Sequence, residues 1–175
     1  MRYLVAAAAL LATPTHVLAQ TPCLTTSEAE AVTLVALPDI ILETGRVCTA
    51  LPPSSLVRRT SGPFLARYQA EADRAWPSAR LAIAKLSDPR ISMLLLQSDY
   101  ARPLITSLIA PQIVGRVQPS DCPTIDRIFT LLEPLPPRNT AGIVVASLQH
   151  LKSEKARGTA IGEVADLPVC TGARQ

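Results

Sequence analysis

The chain has 175 residues, of which 48% are hydrophobic and only 3% aromatic, with a formal net charge of +3 at pH 7. That length suits one ordinary domain with a real core. The near-balance of charge, with Arg58-Arg59 the only adjacent basic pair, provides no phosphate-tracking stripe, so nucleic acid is not expected as a partner.

The first segment reads as an export leader. Arg2 precedes an apolar run from Leu4 to Leu11, and Val17 and Ala19 supply small residues at the −3 and −1 positions of a cleavage site. Thr13, Pro14, Thr15 and His16 interrupt the run well short of the ~20 apolar residues that a membrane span needs. Gln20-Thr21-Pro22 stands before Cys23 where a lipid-attachment site wants leucine and small residues. The expected organisation is a cleaved signal peptide over 1–19 and a single helical domain over 20–175. The mature chain is expected to be soluble, in the periplasm or outside the cell.

Downstream, proline punctuates helical patterns. Thr25-Thr26-Ser27-Glu28 fits a capping box, followed by a helix carrying Ala31, Val32, Leu34 and Val35. Pro38 is expected to kink or restart it before Ile40, Ile41 and Leu42 continue to about Gly45. Residues 51–63, rich in Pro, Ser and Gly, read as a loop with room for one helical turn. Pro63 suits a first helical position, and Phe64, Leu65, Tyr68, Ala72, Ala75 and Trp76 form one amphipathic face, interrupted at Pro77 and resumed by Leu81, Ile83, Ala84 and Leu86. Asp88-Pro89 is a helix start, leading into Ile91, Met93, Leu94, Leu95 and Leu96.

Pro103 is expected to start another helix, with Leu104, Ile105, Leu108 and Ile109, bent or ended at Pro111. This central region is the most apolar and is expected to be buried nearly all round. Ser120-Asp121-Cys122-Pro123 opens a helix with Ile125, Ile128, Phe129, Leu131 and Leu132 on its core face. Asn139 is expected to cap a last helix carrying Ala141, Val144, Val145, Leu148 and Leu151, closed by Gly158. An irregular tail follows from about 159. No alternating run with a hairpin turn argues for a strand.

Cys23, Cys48, Cys122 and Cys170 are too scattered for zinc, which favours close pairs and histidine. An even count in an exported chain favours two disulfides. The pairing expected is Cys23–Cys48 with Cys122–Cys170, each closing a helical excursion. A clasp of Cys23–Cys170 with Cys48–Cys122 is the competitor.

Candidate chemistry is sparse. His150 falls away from the apolar stripe of its helix and should face solvent. Glu43, Glu71 and Glu133 are the glutamates nearest apolar surroundings, but few aromatics are available for a sugar groove, and Glu71 and Asp73, two apart, diverge on a helix. Asp39 and Glu43, four apart, lack a third ligand for calcium. Asp99, Tyr100 and Arg102 form the one polar island in the apolar centre and are the candidate polar site. Asp99 and Arg102 would pair if the helix continued, and otherwise mark an exposed junction. No catalytic residue, metal ligand or cofactor is assigned, since phosphate loops, EF-hand loops and dinucleotide fingerprints are absent from the sequence.

The expectation is therefore an all-α fold, a compact bundle of about six short, proline-bent antiparallel helices stapled by two disulfides. The leading functional reading is a non-enzymatic protein that binds a protein partner in the cell envelope. The alternatives are a carrier of a small apolar ligand and a carboxylate-dependent envelope hydrolase.

Overall fold

A computed structural model describes residues 22–159 and 168–170. The expected leader, 1–19, and most of the tail after 159 lie outside the described residues. The described chain is all-α. Its helices are α1 (Thr26–Val47), α2 (Pro63–Leu86), α3 (Pro89–Gln97), α4 (Ala101–Val114), α5 (Cys122–Leu132) and α6 (Pro137–Ala156), with short 3-10 turns at Leu56–Arg58 and Pro119–Asp121. Among the described residues, no helix is long and apolar enough to cross a membrane.

The capping box forms as expected. The Thr25 backbone N–H donates to Glu28 Oε2 at 2.8 Å, and the Glu28 N–H donates to Thr25 Oγ1 at 3.4 Å. Pro38 deprives the Leu34 carbonyl of its helical donor, a defect worth about 3 kcal/mol. Yet α1 runs unbroken through it. Leu34, Leu37 and Ile41 are buried on either side of the defect, and at about 1.5–3 kcal/mol each their burial outweighs it. The same holds for α2, which continues through Pro77 while Ala72, Ala79 and Ala82 stay buried.

The two long helices are antiparallel. Lys85 near the end of α2 donates to Glu28 Oε2 near the start of α1 at 2.6 Å. At the other end Leu37 and Ile41 pack with Leu56, Phe64, Leu65 and Tyr68, and Ala141 of α6 completes this main core. Phe64 meets Tyr68 and Phe129 edge-on, with ring centroids 5.1 and 6.3 Å apart. The buried Tyr68 hydroxyl is satisfied by Thr140 Oγ1 at 3.1 Å, which ties α2 to α6.

Both disulfides form, but in the competing arrangement. Cys23 pairs with Cys170 and Cys48 with Cys122, with Cα atoms 5.2 and 5.5 Å apart. The expected Cys23–Cys48 bridge is excluded by the continuity of α1. Its 22 residues, at 1.5 Å rise, hold the two cysteines roughly 33 Å apart, whereas a disulfide spans Cα atoms no more than about 7 Å apart. The bridges close loops of 147 and 74 residues, each worth about 4–5 kcal/mol in the chain-entropy picture. Around the first, Leu24 and Val169 form an isolated parallel bridge. Leu24 N–H donates to Pro168 O at 2.7 Å and Cys170 N–H to Leu24 O at 2.9 Å.

Three local expectations change. Helix α4 begins at Ala101 rather than Pro103. Helix α6 begins at Pro137, which fills the first helical position, so Asn139 lies inside the first turn and is not its cap. On α5 only part of the expected core face is covered. Phe129 packs inward, but Ile128 and Leu131 are exposed, because α5 is held mainly at the Leu56–Arg58 turn, where Asp126 Oδ1 accepts the Val57 N–H at 3.3 Å.

Non-reducing peptide mapping is expected to recover Cys23–Cys170 and Cys48–Cys122, and a Cys23–Cys48 peptide would contradict the fold. Gly45 meets the backbone of Val57 so closely that an added Cβ would lie 2.5 Å from the Val57 carbonyl oxygen. Gly45→Ala should therefore cost on the order of 1–3 kcal/mol of unfolding free energy in a denaturant titration.

Candidate functional site

The region that stands out is α3 with α4. Asp88 caps α3, its carboxylate accepting the Arg90 N–H at 2.9 Å. The Ser92 hydroxyl fastens α3 to the end of α2 by donating to the Ala84 carbonyl at 2.6 Å. Leu95 of α3 and Ala101 and Ile105 of α4 then bury together against Trp76, Ile83 and Ile109. The Tyr100 N–H donates to Ser98 Oγ at 3.2 Å, shaping the joint between the helices. Arg102 pairs with Asp73 and so pins the start of α4 to α2.

One side of each helix is used in this way, and the other is left bare. The apolar centre is not buried all round as expected. On α3, Arg90, Met93, Leu94 and Gln97 fall at i, i+3, i+4 and i+7, opposite Leu95, and all four are exposed. On α4 the equivalent outward row is Leu104, Ser107, Leu108 and Pro111, also exposed. Met93, Leu94, Leu104 and Leu108 are 58–68% exposed, and Tyr100 in the joint is 81% exposed. Ile91 and Leu96 add partly exposed flanks. At about 100 Å² apiece, these seven side chains on α3, the joint and α4 expose on the order of 700 Å² in total, comparable in amount with the largest apolar patches of a typical monomer, ~300–600 Å². The expectation failed because α3 is a nine-residue helix lying over α2 at the edge of the fold, so its apolar residues outnumber the places available beneath it.

The candidate polar site resolves as an exposed junction. The helix stops at Gln97 and restarts at Ala101, so Asp99 does not meet Arg102, which turns to Asp73 instead. Asp99 and Tyr100 both face solvent. The three residues are neighbours in the chain but do not converge on a common point. The signal that marks this region in the sequence is the excess of apolar residues over one helical stripe.

The other candidates are dispersed. His150 is exposed on α6. Asp39 and Glu43 border a shallow hollow of about 260 Å³ between α1 and α4, and Glu43 is paired with Arg46. Glu133 lies just past the end of α5, where its backbone carbonyl accepts from Arg67.

Glu71 accepts from Arg74 at 2.6 Å and from Arg138 at 3.2 Å. The Arg74 hydrogen bond, reinforced by Arg138, holds its carboxyl below the usual range. That is the reverse of the raised value a general acid requires. A hollow of about 510 Å³ beside Glu71's partners Arg74 and Arg138 is open to solvent. It combines Ala31, Leu34 and Ala75 with Glu28, Glu30, Arg74 and Arg138, a charged rim unlike the enclosed aliphatic cavity that a carrier of apolar ligands needs.

Glu28 is also held below its usual value, chiefly by its hydrogen bond from Lys85. A carboxyl with a depressed folded value stabilises the fold above its unfolded pKa, about 4.3, and that stabilisation is lost as pH falls through the folded value. Unfolding free energy should therefore drop as pH falls below about 4.3, and Glu28→Gln with Glu71→Gln should flatten that drop in acid denaturation.

No family model, curated protein or solved structure matches the chain, so its fold and surface stand on their own physical evidence.

Proposed function

We propose that this chain is a non-enzymatic protein of the cell envelope, exported to the periplasm or beyond, which acts by binding a protein partner through the outward face of α3 and α4. The observation that carries this reading is the bare apolar row of Met93, Leu94, Tyr100, Leu104 and Leu108, on helices whose opposite sides are anchored by Leu95, Ile105 and the Arg102–Asp73 pair. A face held in place from behind and left uncovered in front is suited to association. Covering it contributes roughly 25 cal/mol per Å², and an exposed tyrosine amid aliphatic neighbours is a typical energetic anchor.

Export is supported by the leader-like first segment, and an oxidising destination by the two disulfides. Charge is scarce on this face: from Ile91 to Gly115 only Asp99 and Arg102 are ionised. The expected partner surface is accordingly apolar and charge-poor.

A photo-reactive residue placed at Leu94 or Leu108 in the native host tests this directly. The expected result is one dominant light-dependent adduct from both positions and none from the exposed position Gln69 on α2. Equal labelling at all three positions, or none at any, would overturn the reading.

A further inference from the structure

We propose that the occupant of the α3–α4 face is a second copy of this chain, in a two-fold dimer with α3 packed antiparallel to its symmetry mate. This rests on the reading of that face as an interface. Three observations on the same two helices support it.

The first is area. The exposed apolar surface, on the order of 700 Å² per copy, approaches the ~800 Å² per partner of a standard specific interface and exceeds the ~500 Å² of the smallest. The second is the neutrality of the centre. A two-fold contact sets each patch against itself, so any charge near the axis meets its own like charge. The middle of α3, Ile91 to Gln97, carries none.

The third is the charge at the ends. Arg90 and Asp99 are exposed at opposite ends of α3, and neither side chain has an ion-pair partner within the described chain. Arg90 stands in the first turn of α3 and Asp99 just past its last turn, in the joint before α4. A two-fold axis crossing the middle of the exposed row of α3 sets the Arg90 end of one copy beside the Asp99 end of the other, and does so twice. Arg90 and Asp99 thus gain partners in an arrangement that also covers the apolar row of α3.

Sedimentation equilibrium tests this, on the disulfide-bonded product purified from cells expressing the full chain with its leader. A species of twice the single-chain mass is expected. Leu94→Glu, at a site already exposed in the single chain, should weaken association about 100-fold while helical circular dichroism and both disulfides persist. Arg90→Glu or Asp99→Arg alone should weaken it about three- to tenfold by setting like charges together, and the two combined should restore it. A single-chain mass at a total concentration of about 100 µM, where even a weak interface assembles, overturns the inference. So does a dimer indifferent to Leu94→Glu, or a charge exchange without rescue. In any of those cases, photo-adducts from Leu94 to a different protein leave the broader binding reading standing, whereas their absence removes both.

Discussion

Everything else in this fold is arranged around an α1 that passes unbroken through Pro38. A helix interrupted there would let Cys48 fold back toward Cys23. The intact one holds them at opposite ends of the molecule, and each must find a partner elsewhere. Cys48 finds Cys122 at the start of α5, and Cys23 finds Cys170 beyond α6. The burial of Leu34, Leu37 and Ile41 keeps the helix whole, since their combined contribution exceeds the cost of one missing hydrogen bond and a crowded carbonyl. Around this spine, α2 and α6 complete the main core through Tyr68, Thr140 and Ala141.

The same arrangement explains where apolar surface is left over. Helices α2, α4 and α6 all pack on α1, and α2 serves as the platform for α3, so α3 and α4 are each packed from one side only. Leu95 and Ile105 take the buried positions. Met93, Leu94, Leu104 and Leu108 have nothing above them within the described chain. Polar anchoring from behind, by Ser92 to the Ala84 carbonyl and Arg102 to Asp73, holds the bare row in a fixed orientation. Anchorage and exposure together set this face apart from a loosely packed core and underlie the proposed docking role.

Charge on this molecule is mostly used within it. Glu28 serves both the cap of α1 and the tie to Lys85, and Glu71 gathers Arg74 and Arg138. These carboxylates are held as anions by their cationic partners and cross-link the helices that carry them. Arg90 and Asp99 differ in lacking such partners, and both border the apolar row.

Elements with local causes were legible in the residues alone. The Thr25–Glu28 box, the Asp88-Pro89 start, Pro63 at the head of α2, the helical turn within 51–63 and the all-α class follow from contacts only a few residues apart. Features that depend on distant surfaces emerged only once the chain was packed. Whether Pro38 and Pro77 interrupt their helices is a contest between a local defect and long-range burial. Disulfide pairing depends on where helix ends meet in space. The exposure of α3 and α4, and with it the candidate site, depends on how much covering surface the other helices supply. A hydrophobic run states that burial is favourable, but only the packed chain fixes whether there is anything to bury it against.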